Sequence, residues 1–594
     1  MVAALAGVDL KRETLRNMQL FLFWDAPQLA HQPADTLPVP LTQSALGALV
    51  ADPDATAKLS TGPLSHAMLR TLVFGSTEDD APCAWTEARQ VADAALEMLP
   101  QSSNAENGQW KALSADNRLR LHLSMRAREV EILAARLRAL QQWAGRHCQI
   151  FLPALRFSPP MQETEKIVLM ALARTMPDCV SEAGLSSHLQ FPQDNERTVT
   201  FASQMRHVCL LAAKGVPHAP QRLRCLARKG IRQVVVLHEP GCGHWRRDRL
   251  DKLVQELSLQ LFWLQVPDTL HVRMSPLHFW RKCLRASSPA SLLQIDIADD
   301  WGSRLQRWGE EMTHILCTAD MTVKQVLLSE HISDAGAFCL DLAQQRHHRS
   351  VRVVAHSGWP LDTMHRWPAE MLENAAIHAY HRQALCAYER IGCKARLDSC
   401  VQWKIRWCSP RWIGRFLLRM LRVLVLGPRR VGILLTTGQA RFAMDVRNSD
   451  ELFNSMAMLL QEADDGRRHF CLRLREAEDN PAALRLFLEH HGASMRNFRW
   501  QRVGEAGLAS FFSWSDVVVQ VGAPTSASFQ ALSAGVPVAT LPVPVQESGR
   551  PLLPHLEGKP SDKEKDDWTA ATRERRVWLR LLIRQIRGYW RSCT

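Results

Sequence analysis

This sequence of 594 residues has no long apolar stretch and no closely spaced pair of cysteines. It has no run of 18 apolar residues, so no transmembrane helix is predicted. The first segment, MVAALAGVDLKRETL, has too short an apolar run for a signal peptide. The 15 cysteines form no C-x-x-C pair, and Cys386, Cys393, Cys400 and Cys408 stand too far apart for a zinc motif. We therefore expect a cytoplasmic protein with reduced thiols and no bound metal.

Signatures of nucleic-acid recognition are also missing. There is no zinc finger, no RNA-recognition signature and no dense basic tract with interleaved aromatic residues. Yet the net charge is +13, which favours anionic partners such as nucleotide phosphates or lipid headgroups. With 46% hydrophobic and 22% charged residues the composition is globular, and the length suits three or four domains. Nucleic acid is therefore not the expected partner.

Residues 1–200 read as a mixed, helix-rich N-terminal region. Residues 18–24 and 69–74 are rich in β-formers and predict two strands, whereas residues 86–99 predict a helix. Between residues 113 and 145, leucine, isoleucine and valine recur at three- and four-residue steps, which predicts a long amphipathic helix. Part of this region is expected to complete the domain that follows it.

Residues 201–365 alternate between helix-like and strand-like segments, which predicts a parallel sheet covered by helices. The strand 233–237 ends at His238 and Glu239, the place in a parallel sheet where ligands bind. A histidine there either acts as a general base or is a structural histidine. The other segments are predicted helices at 204–213, 221–229 and 320–330 and predicted strands at 259–266, 313–318 and 351–354.

Residues 366–430 are predicted to form a helical connection between domains. Near its end, Arg411, Arg415, Arg419 and Arg422 recur at steps of three and four, which places them on one helical face. Apolar side chains cover the rest of that helix. Such a helix either lies on an anionic membrane surface or packs between domains with its arginine heads in solvent.

Residues 431–556 again alternate between strand and helix, as a second Rossmann-like domain would. Its most informative stretch reads as strand, turn, helix and strand over residues 513–542. After that strand, Gly522 opens the turn, and the hydroxyl of Thr525 or Ser526 can cap the helix. A helix N-terminus at the carboxyl end of a strand attracts anions. A charged linker and a basic amphipathic helix are expected over residues 557–594.

Three local patterns carry a resemblance to the glycosyltransferases of GT-B architecture, in particular those of bacterial capsular and surface polysaccharide synthesis. They are LLTTG at 434–438, LRLREAE at 472–478 and SDVVVQVGAPTSASFQALSAGVPV at 515–538. In addition, VRVVAHSGWPLD at 351–362 is similar to the segment that leaves the acceptor half of such enzymes. The expected fold class is therefore α/β, with two Rossmann-like domains in a GT-B arrangement and a helix-rich N-terminal region.

The resemblance implies a metal-independent transferase without a cofactor, which moves a sugar from a nucleotide-sugar donor to a glycan or lipid-linked acceptor. His238 or Glu239 is the implied base, with His356 as a third choice. Many relatives carry glutamate where this chain has Gln530, which can hydrogen-bond a ribose but cannot act as a carboxylate. The implied donor-binding residues are Thr437, Gly438, Arg475, Gly522, Thr525, Ser526 and Gln530.

Two alternatives remain open at this point. One is a nucleotide-sugar epimerase of the same two-domain plan, although the segment TTGQAR at 436–441 does not match the usual epimerase motif. The other is a binding protein that keeps the fold without turnover. The expected location is the cytoplasm, either free or peripheral on the inner membrane.

Overall fold

The fold is described from a computed structural model of the chain. The structure describes residues 18–52, 64–75, 85–98, 113–145, 147–153, 162–181, 185, 208–212, 219–238, 247–265, 274–297, 323–329, 350–355, 375–390, 392–400, 410–435, 449–461, 466–474, 479–502, 507–521, 526–541 and 567–593.

The strands of the described residues all pair in parallel, in three sheets. They are β1 (Gln19–Phe23), β2 (Leu37–Pro40), β3 (Gln149–Phe151), β4 (Val208–Ala212), β5 (Gln233–His238), β6 (Gln260–Gln265), β7 (Val323–Ser329), β8 (Ser350–Val354), β9 (Ala376–Ala379), β10 (Ala395–Leu397), β11 (Arg430–Leu435), β12 (His469–Leu474), β13 (Phe498–Arg502), β14 (Val517–Val521) and β15 (Val538–Leu541).

Helices connect these strands and cover the sheets. They are α1 (Gln43–Ala51), α2 (His66–Phe74), α3 (Trp85–Glu97), α4 (Leu113–Ala144), α5 (Gln162–Thr175), α6 (Ala219–Arg228), α7 (Arg247–Glu256), α8 (Pro276–Arg285), α9 (Pro289–Gln294), α10 (Arg382–Arg390), α11 (Pro410–Leu426), α12 (Ser449–Gln461), α13 (Pro481–His490), α14 (Leu508–Trp514), α15 (Ser526–Ser533), α16 (Asp567–Arg573) and α17 (Arg575–Cys593).

Two of the sheets are doubly wound, so the predicted α/β class with two Rossmann-like domains is confirmed. The seven-stranded sheet has the order β10-β9-β8-β7-β4-β5-β6, and the five-stranded sheet has the order β13-β12-β11-β14-β15. In each sheet the strand order reverses direction once, as in a Rossmann fold. The N-terminal region adds a small sheet of order β2-β1-β3 beneath its helices.

Three secondary-structure predictions were wrong. Residues 69–74 lie in helix α2, which begins where the Ser65 hydroxyl accepts a hydrogen bond from the Met68 N–H. Residues 204–213 and 320–330, predicted as helices, contain strands β4 and β7, which pair with each other. Short apolar runs do not distinguish a buried strand from a buried helix by their periodicity. The predicted strand at 313–318 lies outside the described residues.

The connection predicted as helical at 366–430 does hold α10 and α11. It also contains β9 and β10, which extend the seven-stranded sheet to Leu397, beyond the predicted boundary at 365. Both strands are only three or four residues long, too short for a clear alternating pattern.

The expectation of reduced thiols throughout was also wrong. Cys225 of α6 and Cys400, which follows β10, form a disulfide with their Cα atoms 5.6 Å apart. The fold brings together two cysteines that are 175 residues apart in sequence, which no spacing rule would have paired. Cys148 and Cys179 are buried and not joined in a disulfide, and their sulfur atoms lie 3.8 Å apart.

A single hydrophobic core joins the N-terminal region to the five-stranded sheet. It includes the strand β1, the helices α1, α2, α4 and α5, one face of β11, β12 and β14, and the helices α12, α13 and α17. Phe74 of α2 packs edge-on against Phe453 of α12 and Phe487 of α13, with ring centroids 5.2 and 5.4 Å away. The N-terminal region therefore packs against the domain that the resemblance assigns to the donor.

Candidate functional site

The five-stranded sheet reverses its order between β11 and β14. The chain first adds β12 and β13 on one side of β11, and then returns to place β14 and β15 on the other side. These two central strands end level with each other, because Leu435 is registered with Val521. In doubly wound sheets, ligands bind outside the carboxyl ends of the strands at this reversal point.

Helix α15 begins at this edge and is tied to β14 by buried side chains. The Ser528 hydroxyl donates a hydrogen bond to the Gln520 side-chain oxygen at 2.6 Å. The Gln520 amide donates in turn to the Val521 carbonyl at 3.0 Å. Both side chains are fully buried. The first turn of α15 is therefore held next to the end of β14.

Two of the predicted donor-binding residues lie within the described part of the chain. Ser526 is the first residue of α15, and Gln530 lies one turn further along on a half-buried position. The remaining predicted residues fall outside the described residues: Thr437, Gly438, Arg475, Gly522 and Thr525. They follow β11, β12 and β14 in the sequence, the three central strands of the sheet.

Arg473, which lies two residues before Arg475 in the motif, contacts the neighbouring strand β13 and helix α14. Its guanidinium donates to the Gln501 side-chain oxygen at 3.0 Å and lies 5.9 Å from the Phe511 ring centroid. The side chain is 8% exposed. Because side chains alternate along a strand, Arg473 belongs to the face of the sheet that packs against α14.

The acidic residue of the SDVVV motif has a structural role that sequence reasoning missed. Asp516 is fully buried, and its carboxylate accepts hydrogen bonds from the Arg422 guanidinium and from the backbone N–H groups of Arg429 and Arg430. The indole of Trp578 donates to the Asp516 carbonyl at 2.9 Å. Asp516 thereby joins α11, β11, β14 and α17. A charged residue directly before the three consecutive valines of a buried strand was the available signal.

The predicted base residues belong to the other Rossmann-like domain. His238 is the last residue of β5 and is registered with Gln265 of β6. The seven-stranded sheet reverses between β4 and β7, so β5 is one strand away from that reversal. Glu239 and His356 lie outside the described residues.

A buried polar cluster that the sequence did not reveal follows β9 and β10. Arg222 of α6 donates to the Asp398 carboxylate at 2.9 Å, and both side chains are 2% exposed. The Tyr380 hydroxyl donates to the Ala355 carbonyl at 2.5 Å. Burial lowers the pKa of the nearby His378 to about 4 although Asp398 opposes the shift, so this imidazole is neutral at pH 7. These contacts hold α6 and the sheet together.

Within the described ranges, no group of three or more histidine, cysteine or acidic side chains is arranged to hold a metal ion. In the same part of the chain, no helix is both long and apolar enough to cross a membrane.

Comparison with known proteins found solved structures that are similar to this chain only at low TM-scores. No protein-family model matches the chain, and no curated protein matches it significantly. MurG of Acinetobacter baumannii is 12% identical, with 64% of this chain and 94% of that one covered and a TM-score of 0.36. A UDP-GlcNAc 2-epimerase from Neisseria meningitidis bound to UDP-GlcNAc is also 12% identical, with 64% of this chain and 94% of that one covered and a TM-score of 0.37.

A UDP-glucosyltransferase from Polygonum tinctorium is likewise 12% identical, covering 66% of this chain and 94% of that one, with a TM-score of 0.34. These scores lie below 0.5 and do not bear on activity. The two doubly wound sheets of this chain define its fold. A helix N-terminus, that of α15, lies at the reversal point of the five-stranded sheet.

Proposed function

We propose that the protein is a metal-independent glycosyltransferase of GT-B architecture that takes its sugar from a nucleotide-sugar. One observation carries the proposal: α15 begins at the reversal point of the five-stranded sheet and is fixed there by the Gln520–Ser528 hydrogen bond. A helix N-terminus at such a point offers free N–H groups and a partial positive charge to a phosphate group.

In this proposal the donor diphosphate lies against Ser526 and the segment before it. The leaving diphosphate develops negative charge during transfer, which fixed donors and a cation stabilise without a metal ion. Thr525, Ser526 and Arg475 supply these groups, and Thr437 and Gly438, which follow β11 in the sequence, belong to the same proposed site. Gln530 hydrogen-bonds the donor ribose through its amide.

In this proposal the domain with the seven-stranded sheet binds the acceptor. His238 or Glu239, at the end of β5, removes the proton from the attacking hydroxyl. The proposed acceptor is a bacterial surface glycan or a lipid-linked sugar, as in capsular polysaccharide synthesis, reached from the cytoplasmic side of the inner membrane.

A thermal-shift screen of the full chain against UDP-, GDP-, CMP- and CDP-linked sugars tests donor binding. A ligand at about 100 times its Kd stabilises a protein by about 2.7 kcal/mol, which raises the Tm by a few degrees. We expect the sugars linked to one nucleotide class to raise the Tm in this way. Transfer or slow hydrolysis of that donor is then followed by nucleotide release.

Ser526→Ala is the first variant to measure with the donor so identified. We expect kcat/KM to fall about tenfold to a hundredfold, because one hydrogen-bond donor to the diphosphate is lost. Ser513→Ala is the matched control, since Ser513 is exposed on α14 and its hydroxyl bonds only within its own helix in the described structure. If the two variants behave alike, the donor site lies elsewhere.

The two competing functions give different results in the same experiment. An epimerase of this plan would convert UDP-GlcNAc to its 2-epimer without an acceptor. A protein that binds but does not catalyse would show a thermal shift with one nucleotide and no turnover with any sugar in the panel. Either result would replace the transferase proposal.

A further inference from the structure

Helix α11 turns its apolar side chains to solvent. Leu417, Leu418, Leu421 and Val425 are 58, 67, 62 and 60% exposed, which is unusual for four large apolar side chains on one helix. At 100° per residue they lie on one side of the helix. The exposed set, called here the α11 apolar face, is Ile413, Leu417, Leu418, Leu421, Leu424, Val425 and Leu426.

Two arginines of the same helix, Arg419 and Arg422, reach into the protein, whereas both interpretations of the sequence placed the arginines at the surface. Arg419 is 3% exposed and donates to the backbone carbonyls of Phe512, Ser515 and Gly535, at 2.8, 3.0 and 3.0 Å. Arg422 pairs with the buried Asp516. These bonds fix the rotation of α11, so the apolar face cannot turn inward without breaking buried charge-assisted hydrogen bonds.

Positive charge borders the apolar face. Arg415 is exposed on the flank of α11. At the end of the helix, Arg429 donates to the Leu426 carbonyl and Arg575 of α17 donates to the Val425 carbonyl, both from exposed positions. Neither α11 nor α17 contains an acidic residue. These three exposed arginines, Arg415, Arg429 and Arg575, are called here the basic rim.

We propose that the α11 apolar face docks on the surface of an anionic lipid bilayer. The apolar side chains insert to the depth of the acyl boundary while the basic rim contacts the phosphate headgroups, as in helices that lie in the plane of a membrane. A second copy of the chain fits this surface poorly, because a symmetric contact would bring the rim arginines against one another. The proposal stands independently of any sugar transfer.

Vesicle sedimentation with the full-length chain tests the proposal without substrate. The probes are vesicles of phosphatidylcholine alone and vesicles with a third of phosphatidylglycerol. We expect binding to the anionic vesicles to be at least about tenfold stronger, and to weaken as salt is raised. Leu417→Glu combined with Leu421→Glu should lower that binding about tenfold or more, because carboxylates replace the inserted side chains.

Met458→Glu is the matched control, since Met458 is an equally exposed apolar residue on α12 and outside the α11 apolar face. This variant should bind vesicles as the unchanged chain does. Circular dichroism and the thermal midpoint establish that each variant is folded. Absence of vesicle binding, or equal binding by the double variant, would overturn the proposal. A concentration-dependent dimer abolished by the double variant, without vesicle binding, would assign the face to a second copy instead.

Discussion

At the scale of single residues, the SDVVV motif stabilises the fold and does not act only in the proposed ligand site. Asp516 and the Ser515 carbonyl receive Arg422 and Arg419, so the start of β14 anchors α11. Gln520, four residues after Asp516, orients α15 through Ser528. The motif therefore fixes both ends of β14, and the helix N-terminus at the sheet edge depends on buried polar groups.

Arg419→Lys tests how much the buried guanidinium contributes to the free energy of unfolding. A lysine ammonium cannot reach all the carbonyls that the planar guanidinium bridges, and an unpaired buried carbonyl costs about 1–3 kcal/mol. We expect a loss of about 2–4 kcal/mol in the free energy of unfolding, measured by urea denaturation. Arg415→Lys, at an exposed position on the same helix, should change it by less than about 0.5 kcal/mol. Equal effects would mean that Arg419 contributes no more than a surface arginine.

At the scale of elements, α1 and the start of α13 approach each other closely. The Gln43 side-chain oxygen accepts from the Asn480 N–H at 3.0 Å, and the Asn480 side chain caps α13 by accepting from Ala482 and Ala483. Gly47 of α1 faces that side chain, and a Cβ there would overlap it. The glycine permits the contact between the N-terminal region and α13.

Gly47→Ala should therefore destabilise the protein. The new methyl group displaces the Asn480 cap, and overpacking of this kind costs about 1–3 kcal/mol. Gly414→Ala is the matched control in another helix, where a Cβ meets no atom within 4 Å. It should stabilise the protein by up to about 1 kcal/mol, because alanine has the higher helix propensity. Thermal midpoints measure both, and a neutral Gly47→Ala would mean that the two helices separate easily.

The elements that could be predicted from sequence are those with a long or strong pattern. Strands β5 and β14 and helix α4 follow from their apolar runs and periodicity, and the structure confirms them. The inward orientation of Arg419 and Arg422 in α11 could not be predicted. Periodicity identifies two faces of a helix, but the partner of each face depends on groups such as Asp516, nearly a hundred residues away. For the same reason the sequence did not pair Cys225 with Cys400.

At the scale of the whole molecule, the N-terminal region contacts both Rossmann-like parts of the chain. Helices α1 and α2 pack on α12 and α13 of the domain with the five-stranded sheet. Helices α3, α4 and α5 contact α8 and α9, which lie between β6 and β7 of the domain with the seven-stranded sheet. The second contact centres on a fully buried carboxylate. Asp296 lies 2.6 Å from Arg126, 2.9 Å from Lys166 and 3.0 Å from His122.

Asp296→Asn should weaken this contact by about 3–5 kcal/mol at pH 7, because Arg126 and Lys166 stay buried without their counter-charge. Burial alone would raise the pKa of Asp296, but Arg126, Lys166 and His122 outweigh it and hold the pKa well below its ordinary value of 3.8. The folded chain thus binds fewer protons than the unfolded chain in acid. The stabilisation by this carboxylate is complete above about pH 5 and is lost as the pH falls below the ordinary pKa of 3.8.

Urea unfolding from pH 7 to pH 2.5 separates this interaction from general acid denaturation. The difference in unfolding free energy between the unchanged chain and Asp296→Asn should be constant above about pH 5 and shrink by about 1.4 kcal/mol per pH unit below the unfolded pKa. Asp93→Asn provides the control, since Asp93 pairs with Arg120 at a position that is 41% exposed and should cost at most about 1 kcal/mol. A difference that stays constant down to pH 2.5 would mean that packing, and not the charge of Asp296, joins the N-terminal region to the domain with the seven-stranded sheet.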